Sequence, residues 1–494
     1  MDRFPFSTGL VDDLRSCLDY GLALDPWLAG LKREYFEDDS QEALQHAAAQ
    51  LAVERWREPP ITEVLGDLPA AARLGRTACQ EMLISSAAAI AHDRLGDIHV
   101  GPVIAHAAIS RLRRFVADRG IGALVRVYAV VTYVENHGAV RHYGRVSEDD
   151  FVHGRLHRPW VEYELDDELL AGLLAGAYSL TVEDGRRYVL HTPLGEERYQ
   201  QARRALVDSG YMERRLQLIF LSQFNLFENW DASAARMFPR AVEQRRAFTA
   251  FAAIPAGANM LECGCGTGSQ TFEGGLWEAT GPDGRIVGID PAIGMLERAK
   301  TKARQHRAEN LTFRQARAEH MPFFADGAFD ATVGVGFLHF TQDVPRAVRE
   351  MRRVTKPGGI VAVMAPCRFS FDLPWFRDWF APVFDLAQRQ GTTVRQVLHE
   401  PGEVGRRFVE AGLRDVRTVP SVVPWTAVDA ETTVHHLLEG VSFFQSEMEL
   451  LPWAAREEML AELRGRGERV CRQSSLEERT VQNPLDFVRG VVPG

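Results

Sequence analysis

The 494 residues include only six cysteines, at positions 17, 79, 263, 265, 367 and 471. Their spacing makes neither a disulfide framework nor a zinc-ligand set, so a cysteine-stapled secreted scaffold is excluded and a reducing cytoplasm is expected. Long hydrophobic runs are missing. Stretches such as Leu169–Leu180 are too short to cross a bilayer. The opening residues, Met-Asp-Arg-Phe-Pro-Phe, lack the charged-then-apolar pattern of an export leader. No basic block stands out, and the net charge is −10. That disfavours a dedicated partner of nucleic acid or of an anionic membrane. With 46% apolar and 25% charged residues, the composition is that of a soluble globular protein, and the length suggests two to four domains.

What the chain does have is concentrated at 259–270, Asn-Met-Leu-Glu-Cys-Gly-Cys-Gly-Thr-Gly-Ser-Gln. A short apolar run reaches Glu262, then Gly264, Gly266 and Gly268 follow. This reads as a buried strand that turns sharply toward a helix. The glycines permit positive φ and close approach of the backbone to a ligand. A larger side chain at Gly264 or Gly266 would fill the space that a nucleoside needs. Cys263 and Cys265 read as small side chains packed at this tight turn.

Twenty-two residues past Gly268, the strand Arg285–Asp290 ends in a carboxylate. In dinucleotide folds an acidic residue about 20 positions on takes the ribose hydroxyls, so NAD is one candidate. Three features point elsewhere. The pattern is Glu-x-Gly-x-Gly-x-Gly, with an acid before the first glycine. Asp290 leads directly into a helix start, Pro291 to Ala299, with Met295 facing back. Then come Ala318-Glu319-His320-Met321-Pro322-Phe323, Phe329 to His339, and Glu350 to Gly359.

In this order and spacing the segments resemble class I S-adenosylmethionine-dependent methyltransferases, most nearly the ubiquinone-biosynthesis-like, small-molecule group. The resemblance covers residues 235–366 and extends more loosely to the C-terminus. It implies S-adenosylmethionine as cofactor and a residue-by-residue site. Glu262 would orient the methionine ammonium, and Gly264, Gly266 and Gly268 would admit the carboxylate and ribose. Asp290 would take both ribose hydroxyls. Ala318 and Glu319 would hold the adenine edge, with Ile293 or Met295 on its face, and Gly336 would offer its carbonyl to the ammonium. Where the family usually has Asp before the Ala-Glu pair, this chain has Arg317, which has no acceptor. Adenine recognition would then fall to backbone groups and Glu319. His339, following the fourth strand, is the candidate general base, and a cap for the next helix near Thr341 is the alternative. No Asn-Pro-Pro-Tyr or Asp-Pro-Pro-Tyr follows that strand, which disfavours exocyclic-amine methylation.

The alternation from 259 to 366 predicts strands near 258–262, 285–289, 311–314, 329–334 and 359–364, with helices near 267–280, 292–306 and 343–354. Leu413–Val419 and Leu485–Val492 supply two more strands, antiparallel by resemblance. The expected fold class is α/β: a Rossmann-like, doubly wound, seven-stranded sheet behind an N-terminal, mainly helical, winged-helix-like domain. Ligands bind such sheets beyond the carboxyl ends of the strands. The expected domains are 1–235 and 236–494, the second with lid insertions at about 367–400 and 425–470. Phe and Trp crowd the stretch Asp372–Pro382, which suits a lid over an apolar substrate.

The first half is less explicit. Residues 1 to about 90 have helical periodicity, and Pro59-Pro60 closes a helix over Glu42–Leu51. Leu124–Val134 reads equally as a strand or as a buried helix. His137, His142, His153 and His157 show no ligand spacing and are expected at the surface or in loops, with no metal site. Asp184-Gly185 between Tyr178–Val182 and Arg186–His191 signals a hairpin. With helices on either side, that unit resembles a winged helix. Its leading helix is acidic, which favours dimerisation or a substrate lid over DNA. Phe224, Phe227 and Trp230 either wall the active site or fill the domain junction.

The expected function is a cytoplasmic, homodimeric methyltransferase acting on a small organic or natural-product acceptor. A peptide or protein acceptor, or a DNA-binding regulator with a methyltransferase-like sensor, is the alternative.

Overall fold

A computed structural model describes residues 9–24, 38–59, 66–92, 101–156, 165–227, 229–391, 393–394, 396–440, 444, 448 and 451–494. The chain divides into two compact units. One comprises Met1–Ser222 with Gln445–Ala461, the other Gln223–Phe444 with Glu462–Gly494.

In the first unit, helices Leu10–Asp19, Asp38–Arg55, Leu68–His92, Gly101–Arg119 and Ile121–Tyr143 build one apolar core. The ambiguous run Leu124–Val134 is the interior of the last of these. Its residues are buried on every side, and Gly120 and Gly144, both at positive φ, bracket it. A helix satisfies its backbone bonds internally, so β-branched residues on all its faces are tolerated where neighbouring helices cover them. A small sheet follows, in the order β1-β3-β2, from β1 (Val146–Ser147), β2 (Tyr178–Glu183) and β3 (Arg186–His191). Asp184 and Gly185 make its tight turn, with φ of 50° and 75°, the left-handed pair that a two-residue hairpin needs. Helix Pro193–Asp208 begins where the Thr192 hydroxyl accepts from Gly195 N at 3.0 Å.

One histidine departs from expectation. His137 is fully buried, stacked 5.3 Å from Tyr133 and 5.1 Å from Tyr199, with Glu196 3.5 Å from its Nε2. Burial, then the neighbouring His191, push its pKa down to about 4. Aromatic surface on the facing helix and strands provides the apolar slot that a neutral imidazole can fill. His142 packs on Tyr143, His153 lies 3.2 Å from Asp149, and His157 lies outside the described residues.

The second unit holds a seven-stranded sheet: β4 (Asn259–Cys263), β5 (Arg285–Asp290), β6 (Leu311–Gln315), β7 (Phe329–Val335), β8 (Thr355–Pro366), β9 (Arg414–Thr426) and β10 (Thr480–Val491). Their order is β6-β5-β4-β7-β8-β10-β9. The first five are parallel, and β10 runs antiparallel to both β8 and β9. Successive residues point to opposite faces, so Leu261 joins Ile289, Val348 and Phe408 on one side while Met260 joins Phe248, Phe272 and Phe487 on the other. Burial on both faces explains why the central strands β4, β5 and β7 read as near-continuous apolar runs, while the edge strands β6 and β9 are largely exposed. Strand order reverses between β4 and β7, the position where open α/β sheets leave a crevice.

The helix expected over 267–280 is shorter: α-helix is confined to Leu276–Thr280. After one ordinary turn, Phe272 N to Gly268 O, the bonds widen: Gly274 N reaches Ser269 O, and Trp277 N reaches Thr271 O. Gly275, at φ 76°, cannot continue a right-handed helix, and the Thr249 hydroxyl holds the Gly274 carbonyl at 2.7 Å. Helices Ile293–His306 and Val344–Val354 lie within a residue of their expected bounds. Beyond β8, helices Pro374–Trp379 and Ala381–Arg389 carry the expected aromatic insertion. Between β9 and β10 lie helix Ala430–Val434, a π turn at His435–Gly440 and helix Trp453–Gln473. Among the described residues, no helix is long and apolar enough to cross a membrane.

Candidate active site

The site forms where β4, β5 and β7 end. Gly264, Gly266 and Gly268 all hold positive φ, at 64°, 52° and 82°. Cys265 N donates to Ile289 O at 3.0 Å, tying the loop to the end of β5. Beneath it, the Asp290 carboxylate accepts from Gly266 N at 3.0 Å and from Ala292 N at 2.9 Å. Burial raises the Asp290 pKa to about 6, against those two amides. Glu262, at the end of β4, is 1% exposed and accepts from the Thr271 hydroxyl at 2.5 Å. Burial, reinforced by Asp290, lifts it to about 7, while Thr271 and the Arg245 guanidinium pull the other way. Two carboxylates thus share one enclosed place.

The two central glycines serve different ends. A Cβ on Gly266 would meet nothing within 4 Å, whereas one on Gly264 would stand 2.7 Å from Phe337 Cγ. The space above Gly264 is therefore filled by a phenylalanine and not kept for a nucleoside, a correction to the sequence reading. Burial covers Cys263 and Cys265 and pushes both thiols upward, so they are packed thiols and not thiolates.

Ala316 N donates to Asp290 O, which brings the loop after β6 to the same edge. There Ala318 is buried, and Glu319 accepts from Gln342 N at 2.8 Å. Its carboxylate is thus engaged with the loop after His339. Met295 is 3% exposed on its helix, and Gly336, at φ 62°, donates its N–H to Met364 O at 2.9 Å.

The segment before helix Ala241–Ala252 straps the loop. The Asp231 carboxylate accepts from the Thr267 and Ser269 hydroxyls at 2.7 and 2.8 Å, and Lys302 Nζ lies 3.0 Å away. Burial raises the Asp231 pKa, but these hydroxyls and Lys302 outweigh it and hold the group below the usual carboxylate value. Asn225 Oδ1 accepts from Gly294 N at 2.9 Å. A Cβ on Gly294 would stand 2.9 Å from Asn225 Cα, so the strap can cross only over a glycine. Phe224 meets Phe340 edge-on at 5.1 Å and Trp230 at 5.5 Å.

His339 lies in the 3₁₀ turn Leu338–Phe340, 4.0 Å from the Phe340 ring. It does not cap the next helix, because Asp343 does, accepting from Arg346 N at 2.8 Å. Its Nδ1 is buried without a hydrogen bond, and burial, then His399, push its pKa down to about 3. Sequence reasoning did not find Asn225, Asp231, Phe337 or His399. The one local signal was Gly294, an otherwise costly glycine in a helix's first turn.

A family model described as a methyltransferase domain matches residues 261–363. The demethylmenaquinone methyltransferase of Lactococcus lactis is 42% identical over 106 residues, which is 21% of this chain and 40% of that protein. The demethylmenaquinone methyltransferase of Halalkalibacterium halodurans is 31% identical over 183 residues, 34% of this chain and 72% of that protein. The solved YcgJ protein from Bacillus subtilis is 19% identical, with 51% of this chain and 99% of that one covered and a TM-score of 0.34. The chain belongs to the class I S-adenosylmethionine-dependent methyltransferases. It is accordingly a methyl-transferring enzyme whose cofactor is S-adenosylmethionine. The residues present fit that cofactor: space stands open above Gly266, and a carboxylate lies directly beneath it.

Proposed function

We propose that this methyltransferase acts on a small organic acceptor, and that Glu262, Gly264, Gly266, Gly268, Asp290, Met295, Ala318, Glu319 and Gly336 line its cofactor site. The observation that carries this reading is the Asp290 carboxylate, held under the open Gly266 by two backbone amides. Each carboxylate oxygen keeps a lone pair after accepting its amide, so a ribose diol has two acceptors in fixed positions. Glu262, poised near pH 7, ionises fully once an ammonium comes close. Gly264 contributes by admitting Phe337, which floors the site between β4 and β7.

Bound there, S-adenosylmethionine supplies an electrophilic methyl group on a sulfonium. The protein then has two tasks: to align the nucleophile and to take its proton. His339, beside the end of β7, is the catalytic residue proposed to meet the nucleophile there. The aromatic insertion favours an apolar acceptor, since Trp375, Phe376, Trp379 and Phe380 pack as one buried group past β8. The names of the two relatives point the same way, to a small-molecule acceptor.

The first unit serves as a dimerisation or substrate domain in a cytoplasmic homodimer. Its sequence of helix, β1, two helices, β2 and β3 has winged-helix order. Ion pairing in the small sheet supports a role other than DNA binding: hairpin Arg187 pairs with Glu148, and Arg145, just before β1, pairs with hairpin Glu183. Incubation with methyl-labelled S-adenosylmethionine and a cell extract tests the acceptor class. Label is expected in small organic molecules. Label confined to protein would establish the peptide alternative instead.

A further inference from the structure

Past β8 lies a second buried imidazole, about sixty residues in sequence from the first. His399 pairs with Cys367 at the strand's exit: Arg368 N donates to the His399 carbonyl at 2.8 Å, and His399 N to the Pro366 carbonyl at 3.4 Å. The residue is 6% exposed. Its Nδ1 faces the Glu403 carboxylate at 4.0 Å, and its Nε2 is buried without a hydrogen bond. His339 leaves its own Nδ1 unbonded in the same way. The ring centres are 6.3 Å apart, with the planes at 83°.

A buried polar nitrogen without a partner is unfavourable, and two in adjacent rings call for something that pairs both. A hydroxyl oxygen hydrogen-bonded to a ring nitrogen stands about 4 Å from the ring centre. Two ring centres 6.3 Å apart are less than twice that distance, so one oxygen reaches both rings when each nitrogen is turned toward it. We infer that His399 is a second catalytic residue, taking the proton of a hydroxyl nucleophile that His339 also holds. The inference rests on the methyltransferase reading above and deepens it, because it fixes the acceptor as a hydroxyl compound.

The two imidazoles differ in what stands behind them. His399 has the Glu403 carboxylate beyond its Nδ1, which steadies an imidazolium once the proton arrives. Asp486 adds to that, Arg368 and Arg407 oppose it, and His339 closes the other side. Burial sets the net direction downward for His399, with Glu403 as the largest opposing influence. Burial, then the neighbouring His399, keep His339 neutral, able to hold the hydroxyl but ill suited to keep its proton. In the step itself, the oxygen gives its proton to His399 Nε2 and bonds the methyl carbon. The carbon–sulfur bond breaks with its electron pair left on sulfur, and the proton later leaves to solvent. An ammonium acceptor would bring one proton more and a charge that these neutral rings do not balance.

4-Nitrophenol, whose ionised form is coloured, is a hydroxyl probe for this site. It is titrated into protein saturated with S-adenosylhomocysteine, with affinity read by calorimetry and ionisation by absorbance. The wild type is expected to bind it and to ionise a larger fraction than solution does at the same pH. His399→Gln should weaken binding at least tenfold and remove the excess ionisation. Glu403→Gln should reduce the ionised fraction with a smaller loss of affinity, and it carries the test alone if His399→Gln does not fold. His339→Asn should weaken binding and keep the ionisation. S-adenosylhomocysteine affinity should be unchanged throughout. Wild-type-like probe binding and ionisation in His399→Gln and Glu403→Gln would overturn the assignment, as would a wild type that binds S-adenosylhomocysteine but not the probe. Failure to bind S-adenosylhomocysteine would instead remove the methyltransferase reading beneath it.

Discussion

Phe337, just past the tip of β7, lies so close to Gly264 at the exit of β4 that a Cβ on the glycine would stand 2.7 Å from Phe337 Cγ. The same ring leaves 2.7 Å to a Cβ on Gly334. A phenylalanine therefore closes the floor where strand order reverses, and the glycines around it exist to admit the ring.

Replacing Gly264 with Ala sets a methyl group against Phe337 and strains a φ of 64°. Overpacking and left-handed strain together should cost about 2–4 kcal/mol. Gly266→Ala meets no neighbour and bears only the strain at φ 52°, about 1–2 kcal/mol. Denaturant unfolding should rank the two in that order. Adding Phe337→Ala to Gly264→Ala should recover part of the loss, and a double-mutant cycle with no coupling would refute the contact.

The strap depends on Asp231, which receives two loop hydroxyls and faces Lys302. Asp231→Ala removes the acceptor that Thr267 and Ser269 share and one of the two carboxylates on Lys302, which keeps Glu273. The expected outcome is local: a stability loss of about 1–3 kcal/mol and faster release of S-adenosylhomocysteine in stopped-flow displacement. Release at the wild-type rate would mean that the strap does not restrain the glycine loop.

Asp290 and Glu262 make cofactor affinity depend on pH. Their pKa values in the folded protein are raised, to about 6 and about 7. In the cofactor-free protein the stabilising contribution of such groups is present at low pH, below their unfolded values. It is lost as pH rises through the folded values, because the unfolded chain ionises first. The cofactor's ribose and ammonium need both groups ionised, so the sign for binding is the opposite. Affinity for S-adenosylhomocysteine should fall as pH drops from about 7.5 to about 5.5. Calorimetry near pH 6 in buffers of different ionisation enthalpy should show proton release on binding, and proton uptake would contradict the assignment.

The strands and their terminal carboxylates were legible in the sequence because a parallel sheet covered on both faces leaves apolar runs, and Glu262 and Asp290 stand where those runs stop. The hairpin was legible because Asp184-Gly185 can take two positive φ values in succession. Leu124–Val134 was not, since a helix buried all round and a buried strand have the same apolar content. The helix expected from 267 failed at Gly274-Gly275, where local glycine chemistry overrode periodicity. The strap and the second imidazole lay beyond reach for another reason. Asp231 meets Thr267 across 36 positions and His339 meets His399 across 60, and no local pattern encodes such pairings.

The most direct measurement is calorimetric titration of S-adenosylhomocysteine into the wild type and into Asp290→Ala. Loss of the carboxylate should weaken binding at least tenfold, about 1.4 kcal/mol or more, with the fold retained by circular dichroism. Equal affinity in the two proteins would contradict the account, because the sugar would then be held by something other than the group beneath Gly266.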